Sequence, residues 1–425
     1  MWENERKKTI IRNIVIGVLL VAAVAGLGVA MLRVMKQINE EDEQLSAIKQ
    51  EQQQQLNDNR QGNIDAIRHA YEEDMETVSA YMPGIVCWGD SLTAGTSGNV
   101  SYPRTLQKYI DTYLCEAYDL RYTIDNAAEY SWLDWSEYKV SIPVVNMGAG
   151  MENSATILGR AGVKPFVVQR SFEIPGEMEK VAISFAYSDG KQVNPLTAGD
   201  VEMNPVTIAG VEGTLSLESG GWERKYYFCR SEAGEPVTVE QGTEIQVASA
   251  SKYRDYIHIV WLGTYDGYIN SNDLVQEVKQ LLARQAQNPD RYLVIGPCSY
   301  NNSWSAEGLL NLNAIDTAMM QAFGKHYVNL RKYLIEDGLK DAGLSPTKAD
   351  TASMTAGCVP DSFRSGVGSV NLNAQAYTLT GKLIYDRMDA LGYFDEIRSE
   401  LGIDITTQEI LKNDPDYFKN KLRNG

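Results

Sequence analysis

The stretch "GIVCWGDSLTAG", Gly84 to Gly95, decides how the chain is read. Ile85-Val86-Cys87-Trp88 is a short continuous apolar run, the pattern of a strand buried on both faces. It stops at Gly89-Asp90-Ser91, and Gly95 punctuates the loop that follows. A hydroxyl at the carboxyl end of a strand in an α/β sheet sits where ligands bind in such folds. A plain turn, in which Asp90 and Ser91 hydrogen-bond their own backbone, fits the same letters. The rest of the chain has to separate the two.

Outward from this stretch, strand and helix patterns alternate. Strands are expected over 84–88, 141–146, 256–262, 292–297 and 327–330, and helices over 101–118, 152–161, 272–287, 305–323, 331–342 and 373–391. Apolar strands separated by helices predict an α/β fold, a parallel sheet covered on both faces. The alternation breaks once. Residues 165–252 contain β-branched runs such as "KVAISFAYS" and "KYYFCRS" between Gly, Pro and Asp turns, which predicts an all-β insertion. The tail after residue 394 reads as a short peripheral helix.

Upstream, residues 13–32, "NIVIGVLLVAAVAGLGVAML", carry no charge. Twenty helical residues span roughly 30 Å, one bilayer core. Arg6, Lys7, Lys8 and Arg12 precede the segment, and the acidic run Glu40 to Glu43 follows it. The positive-inside rule then puts the N-terminus in the cytoplasm and the main domain outside a cell membrane crossed once. A cleaved signal peptide is the competing reading, favoured by small residues near Ala25 to Ala30; the length of the apolar core favours an anchor. Beyond it, "KQEQQQQLNDNRQGN" is polar and low in complexity. Ile64, Ile67, Tyr71, Met75 and Val78 then recur at helical spacing, a stripe for docking on the main domain or for self-association. The expected organisation is a cytoplasmic tip (1–12), a transmembrane anchor (13–36), a helical stalk (37–80), an α/β domain (81–164 with 253–393), the β-rich insertion (165–252) and a C-terminal tail (394–425).

The formal charge is −17 over 425 residues. Residues 1–36 hold six Lys/Arg against two Asp/Glu, so the remainder stands at −21. Such a surface repels nucleic acid and anionic lipid alike, and no nucleic-acid partner is expected. There are five cysteines, an odd number, without a CxxC or a His/Cys cluster. No metal or cofactor is expected, and a bridge between Cys298 and Cys358 is left open.

Four blocks in order now carry a resemblance. Gly89-Asp90-Ser91-Leu92 after the first strand, "VVNMGAGMENS", "HIVWLGTYDGY" and "SVNLNAQAYTLTGKLIYDRM" resemble the blocks of the SGNH, or GDSL, hydrolases. That resemblance implies a three-layer αβα, flavodoxin-like fold over about residues 80–393. It also implies serine ester chemistry: a nucleophile activated by a histidine that a carboxylate orients, and an oxyanion held by backbone and amide donors. Transferred position by position, Ser91 matches the nucleophile. The glycine of the second block falls on Met151, with Gly148 and Gly150 as candidate backbone donors. Tyr265 stands where the third block has an asparagine. In the last block Gly368 and Asn371 stand where the family has its aspartate and histidine. An asparagine can hydrogen-bond to Ser91 but takes up no proton at a working pH.

The three histidines allow an exhaustive search for a replacement base. His69 lies in the stalk, His258 inside the third-block strand and His326 ahead of its strand, each expected as a surface or core histidine. Asp361 and Asp266 are the nearest plausible carboxylates. Removing the base of a serine triad costs on the order of a million-fold in turnover. Losing an oxyanion donor costs about a hundred- to a thousand-fold. The expectation is an impaired, anchored family member that binds a ligand, such as a cell-envelope glycan, or a protein partner. The alternatives are an active hydrolase or acyl transferase acting on acylated cell-surface glycans through Ser91, and an insertion that binds carbohydrate through Trp222, Tyr226 and Tyr227.

Overall fold

The computed structural model describes residues 2–95, 100–115, 140–220, 223–264, 270–298, 306–366 and 369–403, with a few positions of the tail. The chain divides into two units, residues 1–72 and 73–425. A single helix, α1 (Trp2–Tyr81), makes up the first unit and enters the second. The apolar stretch and the residues that follow it are thus one continuous element. The glutamine-rich stretch is helical because its amides bridge successive turns: Gln53 to Asn57 (3.2 Å), Gln54 to Asp58 (3.3 Å) and Gln61 to Asp65 (2.9 Å). Its apolar stretch is long enough to cross a membrane.

The second unit is mixed α/β. Among the described residues, β1 (Ile85–Gly89) and β2 (Val144–Gly148) open its sheet. Nine further strands follow: β3 (Phe166–Val168), β4 (Phe172–Ile174), β5 (Val181–Ile183), β6 (Phe185–Tyr187), β7 (Val206–Ile208), β8 (Val211–Gly220), β9 (Glu223–Arg230), β10 (Val237–Val239) and β11 (Glu244–Val247). Then come β12 (Ile257–Trp261), β13 (Tyr292–Ile295) and β14 (Tyr327–Val328). The order β14-β13-β12-β1-β2 forms one sheet in which every neighbouring pair is parallel. The run β3 to β11 is antiparallel throughout, as a sheet ordered β5-β9-β8-β7-β11-β3-β6 with a small β10-β4 ribbon beside it. Its apolar side chains, Phe166, Ile174 and Phe228 among them, join one continuous core with Val86, Trp88 and Met147.

Helices connect the parallel strands. They are α2 (Ser91–Ala94), α3 (Tyr102–Ile110), α4 (Ser154–Arg160), α5 (Ser249–Lys252), α6 (Ser271–Gln285) and α7 (Ala306–Phe323). Next, α8 (Leu330–Tyr333) passes through one wide turn into α9 (Leu339–Asp341), followed by α10 (Lys348–Thr355), α11 (Ala374–Ala390) and α12 (Asp395–Glu400). Alternation along β1 sends Val86 and Trp88 into the core that holds residues of α4, α6 and α7, while Cys87 meets Tyr102 of α3 on the other face. Helices therefore cover both faces of the sheet. The bridge between Cys298 and Cys358 that the sequence left open is not formed, and all five cysteines are thiols.

Two observations fix which end of α11 faces the site. The α3 helix runs from the carboxyl edge of the sheet toward the amino edge. Its N-cap Ser101 lies beside Asn146 (3.5 Å), whereas Gln107 bonds the Ile142 carbonyl (3.0 Å) and the Val144 N–H (2.6 Å). The α11 helix runs the same way, with Gly381 against Thr105 and Tyr385 5.8 Å from Tyr109 and 5.5 Å from Tyr113. The start of α11, and the loop leading into it, therefore arrive at the carboxyl edge.

At that edge α2 packs backbone to backbone on β2. A Cβ on Gly148 would lie 2.2 Å from the Ala94 nitrogen, a contact that only displacement of main chain can relieve. We expect Gly148→Ala to destabilise the protein by about 1–3 kcal/mol, the ordinary cost of overpacking, measured as a lower urea midpoint at unchanged slope. A midpoint equal to that of the parent would refute this packing.

Candidate active site

The chain leaves β1 at the place where strand order reverses: β2 lies on one side of β1, and β12, β13 and β14 lie on the other. Such a switch point opens a crevice at the carboxyl ends of the strands. Asp90, 2% exposed, caps α2 by accepting from the Leu92 N–H (2.9 Å). Ser91 is the first residue of α2 and is half-buried at this opening.

The second-block loop is bound to the first. Ala149 N–H donates to the Gly89 carbonyl (3.0 Å), and Asn146 Nδ2 reaches the Ala94 carbonyl (3.4 Å). The Gly148 N–H, one of the expected backbone donors, is taken by Asn146 Oδ1 (3.0 Å). Gly150 is the donor candidate that no such bond occupies among those described. Met151 holds φ +65°, the left-handed conformation that glycine adopts without penalty. Its side chain is 64% exposed, so it stands over the loop rather than filling the core.

Two clamps hold that strained peptide. Asn194, from the β-rich block, donates to the Met151 carbonyl (2.6 Å), and its backbone N–H meets Thr156 Oγ1 (3.0 Å). On the core side, the wholly buried Glu152 and Arg160 form an ion pair (2.7 Å), and Arg160 also bonds the Met147 carbonyl (2.9 Å). Burial pushes the Glu152 carboxyl up, and the Arg160 guanidinium opposes that push. The block outside the parallel sheet therefore shapes the site loop. Nothing in the sequence around Asn194 signals this, because the contact spans 43 residues.

The third block enters beside β1, where β12 ends and Gly263 turns. Tyr265 and Asp266 lie outside the described residues, as does Gly368. In the last block, Asn371 stands on the return limb of a closed loop. Its carbonyl accepts from the Ser365 N–H (3.0 Å), and its side-chain Oδ1 is buried without a hydrogen bond. Asp361 is paired with Arg364 (3.4 Å). The loop is braced by Asp350, which accepts from Thr347 and from the Ser362 N–H (2.7 Å) and hydroxyl (2.8 Å); these bonds hold its carboxyl below the usual range despite burial. The ends of β1, β2 and β12 and the start of α11 thus lie at one edge of the sheet.

The histidines of this unit do not lie there. His258 is the second residue of β12, paired with Val86 and Tyr292, three residues short of the strand's carboxyl end. About 10 Å of strand separates it from that edge. It accepts from Trp88 Nε1 at 3.2 Å, and burial lowers its pKa to about 4. His326 precedes β14 and stacks on Tyr292 (4.5 Å between ring centroids), with Nδ1 2.8 Å from the Tyr393 hydroxyl. Both are at the amino-terminal end of the sheet. His69 belongs to α1. Of the insertion's aromatics, Tyr226 packs on Phe185 (4.7 Å) and bonds the Pro195 carbonyl (3.1 Å).

No family model matches the chain, and no curated protein matches it. Among solved structures, one reported as "Peptidoglycan O-acetylesterase in action, 5 min" aligns over 77% of this chain and 96% of its own, at 12% identity and a TM-score of 0.28. A likeness at that level carries no argument about this site.

The buried His258 generates a pH prediction. Its folded pKa is lowered to about 4, so the unfolded chain binds the proton first as pH falls below about 6.5. Stability is fully present above that pH and declines by up to about 1.4 kcal/mol per unit, roughly 3 kcal/mol in all, as pH approaches 4. His258→Gln keeps an acceptor for Trp88 and removes the titration. Denaturant titrations at several pH values should show a shallower acid slope in this variant, and an identical slope would refute the assignment.

Proposed function

We propose that the chain is a membrane-anchored SGNH/GDSL hydrolase-fold protein whose serine site is impaired, and that it acts outside the cell membrane as a ligand- or partner-binding module. The observation that carries this reading is the separation of chemistry between the two ends of the sheet. Ser91 and Asn371 belong to the carboxyl edge, while His258 and His326 sit at the amino-terminal end. The strand order, with helices on both faces, supports the three-layer flavodoxin-like class. The apolar stretch of α1 supports the anchor, and the change from parallel to antiparallel pairing supports the division into residues 81–164, 165–252 and 253–393.

A binding role suits the carboxyl edge of the sheet. The buried Asn371 Oδ1 is an acceptor without a donor, and leaving such a group unpaired costs about 1–3 kcal/mol. A ligand hydroxyl or amide that displaced the packing around it would recover that cost. Glycans of the cell envelope are rich in such donors, which makes them the ligand class of choice.

One observation favours a second reading. Met151 keeps a glycine-like backbone, and two clamps maintain it, as a working oxyanion loop would require. In that case Ser91 acts as nucleophile on an acylated cell-surface glycan, with a base supplied by substrate or partner.

A serine-directed probe distinguishes the two. Under the first reading the full-length protein in detergent gains no fluorophosphonate adduct by intact mass and hydrolyses an aryl acetate no faster than buffer. Stoichiometric labelling that disappears in Ser91→Ala would overturn it and establish the second. Rebuilding the last block as Asn371→His with Gly368→Asp should raise ester hydrolysis above that of the parent if the scaffold is intact.

A further inference from the structure

The exposed face of α1 below the apolar span is used by neither reading. Val34, Leu45 and Leu56 recur at a spacing of 11 residues, with Ile38 and Ile48 between them. At 3.6 residues per turn these five side chains fall within about 80° of one another around the helix. Glu41 falls within the same arc, and its carboxylate accepts from Gln37 Nε2 (3.1 Å). The five apolar side chains are 55%, 50%, 47%, 50% and 51% exposed, respectively, so the single chain leaves the stripe in water. Ala23, Leu27 and Ala30 carry the same face up into the apolar span. The repeat continues in sequence through Ile67 and Val78, both of which are buried. An isolated helix in water gains its stability from packing one face, and polar bridges alone supply only tenths of a kcal/mol each.

We infer that this face pairs with a second copy of the chain, in parallel and in register, as a two-helix coil. The inference rests on the anchor reading. Identical anchors hold every copy at one depth and in one orientation, which excludes antiparallel pairing and sets residue against like residue. An 11-residue period is the one that keeps such a seam in contact with little or right-handed supercoiling. Gln52 lies at the centre of the stripe, where a like-with-like register places its amide donor against the acceptor of its twin, the polar core pair that selects two strands. From Ala23 to Leu56 the face runs about 50 Å, and a strip roughly 10 Å wide buries on the order of 1,000 Å² in the pair, enough for a specific interface.

The test uses the full chain in liposomes, with Leu45→Cys, Leu56→Cys and the opposite-face control Gln54→Cys, each treated with a short bis-maleimide. The parent, whose own thiols set the background, is treated alongside. Covalent dimer from Leu45→Cys and Leu56→Cys, at least fivefold above the parent and above Gln54→Cys, is the expected result. Dimer that is absent, or equally abundant from Gln54→Cys, overturns the pairing when carbonate-washed membranes retain the chain. A chain that washes off the membrane and gives no dimer overturns the pairing together with the anchor. A second variant, Leu45→Asp with Leu56→Asp, should abolish the sedimentation of the detergent-solubilised chain as a dimer while the thermal transition of residues 73–425 stays in place; retention of the dimer would also overturn the inference.

Discussion

Strand β1 is buried at every position and hydrogen-bonded on both sides, to β12 and to β2. A segment in that state offers no edge to solvent, so its residues can contribute to a site only where the strand ends. The reversal of strand order falls at the same place, and adjoining connections leave the sheet to opposite faces there. Ser91 is therefore positioned by sheet topology rather than by its own loop. The surrounding close contacts follow from this. Helix α2 must turn within four residues, it then lies on β2, and Gly148 is the residue that lets the two backbones touch.

A parallel sheet has two chemically distinct ends, and this chain uses them differently. The amino end holds two packed histidines, His258 against Trp88 and His326 between Tyr292 and Tyr393, and burial lowers the pKa of each imidazole. The carboxyl end holds hydroxyl and amide groups, with Asp361 already committed to Arg364. Moving a proton from Ser91 to His258 would require passage through a core that contains Trp88 and Trp261. Distance and packing argue against it together.

Much of this was legible because buried parallel strands are short apolar runs. Ile85–Trp88 and "YIHIVWL" announce themselves, and the antiparallel block shows its turns. The second strand was expected at 141–146 and runs Val144–Gly148. Pro143 lacks an N–H and cannot extend the ladder, while its carbonyl serves Ile85 instead. Helix α10 escaped notice because "KADTASMT" has no apolar stripe; its start is a Thr347–Asp350 capping box, visible only in retrospect. In the stalk, expected as helical, glutamine is a good helix former whose amides bridge turns and carry α1 through the low-complexity stretch. At the site, the block letters were readable, but the Asn194 clamp, which reaches across 43 residues, is a product of tertiary contact.

Met151 shows what that contact does. A non-glycine residue in the left-handed region costs about 1–2 kcal/mol, and a loop free to relax would escape the cost by changing shape. Here the carbonyl after the strained φ is held by Asn194, and the next side chain is fixed by Arg160 inside the core. The shape of the loop is imposed from both sides, so it does not depend on which residue occupies position 151. That separates the shape of the loop from the side chain that occupies it.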